Sequence, residues 1–250
     1  MKSRLFAFVA GATVVASAQI ASAADLAVKA QPHAPAVMEL ATATWTGFYI
    51  GGHGGWAWGH SSATAVTGNG NFPVGSLVSD GHPDGGLGGV QGGYNYQFGQ
   101  WVLGIEGDYS FADITSSDTT TSALGNLNAS NGKFKWLADV TGRLGYAGWS
   151  NWLVYIKGGA AWTHHDASST LTSPAGVVLS TSTGSEGRTG YLIGGGLEWA
   201  FVRNWSAKIE YNYMDFGTET VTRVTSAGTT NLRDNKLNLN VFKAGVNYRF

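Results

Sequence analysis

Trp152-Leu153-Val154-Tyr155-Ile156-Lys157-Gly158-Gly159-Ala160-Ala161-Trp162 has a period of two. Trp152, Val154, Ile156 and Trp162 fall on one face of an extended strand; Tyr155, Lys157 and the following Thr163 fall on the other. The two tryptophans bracket the apolar face. At about 3.3 Å per residue they stand about 33 Å apart along the strand. A tilt of about 40° reduces that to roughly 25 Å, the height of the apolar band of a barrel in a membrane.

The same alternation recurs on both sides. In 101–112, Trp101, Leu103, Ile105, Tyr109 and Phe111 oppose Val102, Gly104, Glu106, Asp108 and Ser110. In 134–146, Phe134, Trp136, Val140, Leu144 and Tyr146 oppose Lys135, Asp139, Thr141 and Arg143. Tyr191, Ile193, Leu197, Trp199 and Phe201 oppose Glu198, and Trp205, Ala207, Ile209, Tyr211 and Tyr213 oppose Ser206, Lys208, Glu210 and Asn212. Phe242, Val246, Tyr248 and Phe250 oppose Lys243, Asn247 and Arg249. Weaker alternation over 48–58 and 87–98 brings the strand count to eight. Three connections are tight (99–100, 148–151, 202–204), and four are long and polar (about 59–85, 115–132, 165–188 and 217–235). The spacing predicts an all-β fold, an eight-stranded antiparallel up-and-down transmembrane β-barrel over 45–250 with four long external loops.

The aromatic residues say which face meets lipid. Trp45, Trp101, Trp149, Trp152, Trp199 and Trp205 mark the tight-turn side, and Trp56, Trp58, Trp136 and Trp162 the loop side. Amphipathic rings at two levels are the girdles of a membrane barrel. The charges take the opposite face: Glu106, Asp108, Asp139, Glu198 and Glu210 with Lys135, Arg143, Lys157, Lys208, Lys243 and Arg249. An eight-stranded barrel is just wide enough for side chains to fill, so these groups are expected to form a neutralising core, with Gly51-Gly52, Gly92-Gly93, Gly158-Gly159 and 194–196 relieving crowding. On this reading Arg at Ile156 or Leu103 cripples assembly, and Lys157→Ala is milder.

The N-terminus reads as a secretory signal: Lys2 and Arg4, an apolar run from Leu5, then Ala21-Ser22-Ala23. Residues 1–23 are expected to be removed after Ala23, and 24–44, with Pro32 and Pro35, to act as a flexible periplasmic spacer. Of 15 basic and 16 acidic residues, 13 and 16 then remain, a net charge of −3. A chain without a basic face is no nucleic-acid binder, and an exported chain with no cysteine is not held by disulfides. The expected location is the outer membrane, among lipid and lipopolysaccharide.

The series Trp45-Thr46-Gly47-Phe48-Tyr49-Ile50-Gly51-Gly52, Gly92-Gly93-Tyr94-Asn95-Tyr96, Leu103-Gly104-Ile105-Glu106-Gly107-Asp108, Gly142-Arg143-Leu144-Gly145-Tyr146, Tyr155-Ile156-Lys157-Gly158-Gly159, Glu210-Tyr211 and Gly245-Val246-Asn247-Tyr248-Arg249-Phe250 resembles the outer-membrane immunogenic proteins of alpha-proteobacteria, a porin-family group with an OmpA-like barrel. Lys243-x-Gly245-x-x-Tyr248-x-Phe250 also resembles the C-terminal signal read by the outer-membrane assembly machinery. The resemblance implies an outer-membrane barrel. Three functions stay open: a structural protein of the cell envelope, a small-solute porin, and a surface receptor or adhesin, haem binding having been attributed to some relatives.

Catalytic and metal chemistry find little support. His164-His165-Asp166 places adjacent histidines on opposite strand faces, so they do not clamp one ion. His53, His60 and His82 are scattered and read as loop or lumen filling. His164 and Asp166 with Ser168 or Ser169 form an imaginable nucleophile constellation, but no G-x-S-x-G elbow occurs. No catalytic residue, metal or cofactor is expected.

Overall fold

A computed structural model describes residues 44–224, 226 and 230–250; the expected signal peptide and all but the last residue of the expected spacer lie outside the described residues. The strands are β1 (Gly47–Ala65), β2 (Leu77–Gly81), β3 (Asp84–Phe98), β4 (Trp101–Thr121), β5 (Leu127–Trp149), β6 (Trp152–Thr172), β7 (Val178–Val202), β8 (Trp205–Val224) and β9 (Thr230–Arg249). Every neighbouring pair is antiparallel, and β1 closes the ring on β9 from Tyr49↔Arg249 to Ala65↔Arg233. Both β2 and β3 lie along β1, so they are two pieces of one ring position. The break falls at His82-Pro83, where proline has no N–H to donate. The ring therefore has eight strands, and closure leaves no unpaired edge facing lipid.

The strand faces follow the alternation. Leu103, Ile105, Ile156 and Ile193 point outward and are more than half exposed, whereas Glu106, Lys157 and Lys208 point inward and are buried. Two tight turns rest on left-handed residues, Gly99 (φ 61°) and Asn151 (φ 65°), the second an asparagine, which tolerates that region better than most. Nine of the tryptophans stand on the outer face, several in aromatic pairs such as Trp152–Trp199 and Trp205–Tyr248. Trp45 does not: it is 1 % exposed, packed inside the tight-turn end with Val102 and Leu153. It precedes β1, so strand alternation does not govern its direction.

The polar stretches expected as long external loops are mostly strand. Thr115–Thr121 pairs with Leu127–Lys133, Asp166–Thr172 with Val178–Ser185, and Thr218–Val224 with Thr230–Lys236. The barrel wall thus continues beyond the loop-side girdle as a polar tube. The segment 66–76 between β1 and β2 is a true loop, and it folds across the tube's mouth. Asn69 Nδ2 donates to Asn231 Oδ1 (3.1 Å), Asn126 Nδ2 to Asn71 Oδ1 (2.6 Å), and the Leu232 amide to Thr67 Oγ1 (2.8 Å). Phe72 tucks beneath, against Ala63, Ala65 and Val78.

Candidate functional site

The lumen is filled in tiers. At its centre lie nine ionisable side chains, each at most 6 % exposed: Glu106, Asp108, Asp139, Arg143, Lys157, Glu198, Lys208, Glu210 and Lys243. Lys157 Nζ reaches Glu106 Oε1 and Glu210 Oε1, both at 2.8 Å, and Lys208 Nζ reaches the other oxygen of each carboxylate at 3.1 Å. Two lysines and two glutamates therefore close a ring in which every charge has two opposite neighbours. Lys243 binds Asp108 at 2.9 Å, and Asp139 stands 3.7 Å from both Lys157 and Lys243. With water largely excluded, each of these charges depends on its partners, since a buried ion left alone costs several kcal/mol.

Arg143 joins this ring to the tight-turn end. Its Nη2 donates to Glu198 Oε2 at 3.1 Å, and its guanidinium lies between the rings of Tyr49 and Tyr155, 5.0 and 4.7 Å from their centroids. Each tyrosine hydroxyl donates at 2.8 Å to a glutamate of the ring, Tyr49 to Glu106 and Tyr155 to Glu210. Glycines make the room: a Cβ on Gly93 would stand 2.5 Å from the Tyr49 hydroxyl oxygen, and one on Gly196 2.8 Å from that of Tyr155. Their neighbours Gly92 and Gly195 take the outer phase, so only part of each glycine run serves the interior. The alternation assigned Tyr155 to the lumen; Tyr49 was legible only as part of a family-like motif.

Two expected members of the network sit elsewhere. Lys135 is not in the lumen. It is the extra residue of a bulge in β5, where Phe134 and Trp136 face the consecutive His165 and His164 of β6. The bulge reverses the phase of β5, so Phe134 turns inward and Lys135 outward, where it binds Asp166 at 2.7 Å with half its side chain exposed. Arg249 does face inward, but its guanidinium stacks on Trp45 (4.3 Å) and donates to the Thr44 carbonyl at the tight-turn end of the barrel. Of the C-terminal motif, Lys243 is held in the ion pair with Asp108 and Gly245 lies close against Gly52 and His53. Tyr248 and Phe250 lie on the outer face, Phe250 at 75 % exposure.

On the long-loop side of the charges lies an apolar tier that sequence reading missed. Ile114, Leu137, Leu192, Met214, Leu237, Leu239 and Val241 are each at most 2 % exposed and pack together across the lumen. The signal was present. Leu237, Leu239 and Val241 share the phase of Lys243, and Met214 shares that of Glu210, but apolar residues were read as lipid-facing.

His164 and Asp166 do meet a serine, which is Ser185 rather than Ser168 or Ser169. Ser185 Oγ donates to Asp166 Oδ1 (2.7 Å) and contacts His164 Nε2 (2.9 Å). Asp166 is held by Lys135 at 2.7 Å and stands 4.0 Å from the same His164 Nε2 that contacts the serine, so it does not orient the imidazole through its other nitrogen as a nucleophile–base–carboxylate triad requires. Among the described residues no group of three or more His, Cys, Asp or Glu side chains forms a metal site.

Comparisons with known proteins agree with this architecture. A family model described as an outer membrane protein beta-barrel domain matches residues 8–250. The 31 kDa outer-membrane immunogenic protein of Brucella melitensis is 32% identical over 234 residues, 92% of this chain and 93% of that one. The 22 kDa outer membrane protein of Rhizobium leguminosarum is 30% identical over 69% of this chain and 65% of its own. Among solved structures, the outer membrane protein OprG of Pseudomonas aeruginosa superposes with a TM-score of 0.54 at 14% identity, over 84% of this chain and 98% of its own. The outer membrane protease OmpT of Escherichia coli does so at 0.52 and 9% identity, over 83% and 98%. At such identities these two structures speak to the fold alone. The closed eight-stranded ring, the family match along nearly the whole sequence and the Brucella relative lead to one assignment: this chain belongs to the outer-membrane β-barrel protein family and resides in the outer membrane.

Proposed function

We propose that the protein is a non-enzymatic structural barrel that strengthens the cell envelope and presents its external tube outside, without passing solutes through its lumen. The observation that carries this reading is the double filling of the lumen. Polar solutes meet the apolar tier of Ile114, Leu137, Leu192, Met214, Leu237, Leu239 and Val241, and beyond it an ion-paired ring with buried charges on every side. Neither tier moves aside without exposing apolar surface to water or unpairing buried charge.

The partners on this reading are lipid and lipopolysaccharide around the apolar band and the assembly machinery at the last strand. Lys243, Gly245, Tyr248 and Phe250 serve as the assembly signal before closure. Once the barrel closes, the lysine turns to Asp108 and only the two aromatic rings remain outside. The test is deletion of the gene, with leakage of a periplasmic marker and uptake of small hydrophilic solutes measured side by side. Increased leakage with unchanged uptake is expected. Slowed uptake with an intact envelope would transfer the function to the porin reading.

A further inference from the structure

Above the apolar tier the external tube encloses a second interior that the structural reading does not use. Two bulges build it. The first, at Lys135, turns Phe134 inward beside His165. The second lies between Asp215 and Thr218 of β8, at Gly217 in the left-handed region (φ 65°), and reverses the phase so that Arg223 faces inward. A Cβ on Gly184 would overlap the Arg223 guanidinium, so the facing strand leaves space for this head group. Arg233 comes from β9 to the same cavity, and Arg188 of β7 shares the Glu186 carboxylate with Arg223.

The enclosed carboxylates are already engaged. Glu186 is shared by Arg223, Arg188 (3.4 Å) and His165 (3.8 Å). Asp118, which lines the same cavity as Arg223 and Arg233, accepts from Ser79 Oγ (2.7 Å), the Asp80 amide (3.0 Å) and Thr120 Oγ1 (3.1 Å), which hold it at the wall. What stays unspent at this level is donor capacity together with one acceptor, the Asn235 Oδ1 atom. Among the described residues Arg233 has no carboxylate within ion-pair distance, and this half-buried residue lines the same cavity as Arg223. Ser182, 6 % exposed, makes no hydrogen bond through its hydroxyl, whereas Arg188 Nε stands 3.9 Å from a Glu219 carboxylate oxygen. Arg223, Arg233 and Ser182 line one cavity of about 80 Å³. That is space for several water molecules at roughly 10–15 Å³ each, and so for one tetrahedral oxyanion. An adjoining cavity of about 270 Å³ shares Arg233 and Ser182 and reaches the exposed Asn69 and Gly70 of the covering loop, which supplies an approach from outside.

We infer that this chamber binds a single phosphate or sulfate group, free or carried on a sugar whose remainder lies in the adjoining cavity. Arginine forks and hydroxyls are the groups that hold such oxyanions through charge-assisted hydrogen bonds, and the Arg233 guanidinium, which forms no ion pair among the described residues, supplies the unspent charge beside the free Ser182 hydroxyl.

The experiment is calorimetric titration of the folded barrel in detergent with inorganic phosphate and, separately, with glucosamine 1-phosphate. Arg233→Gln is compared with Arg203→Gln, a change at an exposed arginine in the β7–β8 turn. Saturable binding of inorganic phosphate that weakens about tenfold or more in Arg233→Gln and is unchanged in Arg203→Gln supports the site with a free anion as its ligand. The same pattern with glucosamine 1-phosphate alone supports it with a sugar-borne phosphate. Ser182→Ala, a smaller change expected to weaken binding about threefold, takes over if Arg233→Gln does not show the folded mobility on a gel. No saturable binding of either probe, or equal affinity in all variants, overturns the inference.

Discussion

The charged and apolar tiers of the lumen fill the same barrel in the same strand phase by opposite means. The charged tier holds Lys157 between three carboxylates and Lys208 between two. The apolar tier holds Leu239 and Met214 by contact alone. In the first, each group is costly unless its partners are present, so one deletion strands several charges. In the second, a deletion removes only its own contacts and leaves a hole. The difference teaches that the charged tier specifies one arrangement, whereas the apolar tier seals the lumen and tolerates repacking.

Lys157→Ala breaks the comparison hardest. It leaves Glu106 and Glu210 short of one cation each in a dry interior, with an expected loss of about 3–5 kcal/mol, read from urea unfolding in detergent. The ring geometry thus ranks this change above the lipid-face substitutions, the reverse of what the alternation alone implied. A loss under about 1 kcal/mol would mean that water enters the ring. Next comes Leu239→Ala, for which the range for buried leucines is about 2–5 kcal/mol; the value belongs in the lower part because the tier can close over the gap. A loss equal to that of Lys157→Ala removes the distinction between the tiers. Ile156→Arg, on the lipid face, is expected to cost about 2–4 kcal/mol at mid-depth and to lower the assembled fraction on a folded-versus-boiled gel; normal assembly would reverse the assignment of faces. Lys135→Ala is expected to change unfolding not at all, because its pair with Asp166 is solvent-exposed. A clear destabilisation would return Lys135 to the network.

The inward phase of the charges was legible because lipid penalises charge so strongly that each of Glu106, Asp139, Arg143, Lys157, Lys208 and Glu210 had to turn away from it. Lys135 was misread for a local reason: a bulge adds one residue and reverses the phase, and nothing in Phe134-Lys135-Trp136 announces it. The apolar tier was hidden because Leu237 or Met214 is as comfortable inside as in lipid, so hydropathy does not distinguish the faces. The external tube was taken for loops because both faces of Thr115–Thr121 or Val178–Ser185 meet polar surroundings, and alternation vanishes where neither face is apolar.

The central claim is that the lumen is closed. Single-channel recording of the folded barrel in a planar bilayer tests it directly, after the gel shift between folded and boiled samples has shown that the inserted protein is native. The tiers predict a bilayer that stays electrically silent. Stable, reproducible conductance steps would contradict them, since a continuous water path cannot coexist with an apolar tier packed from wall to wall.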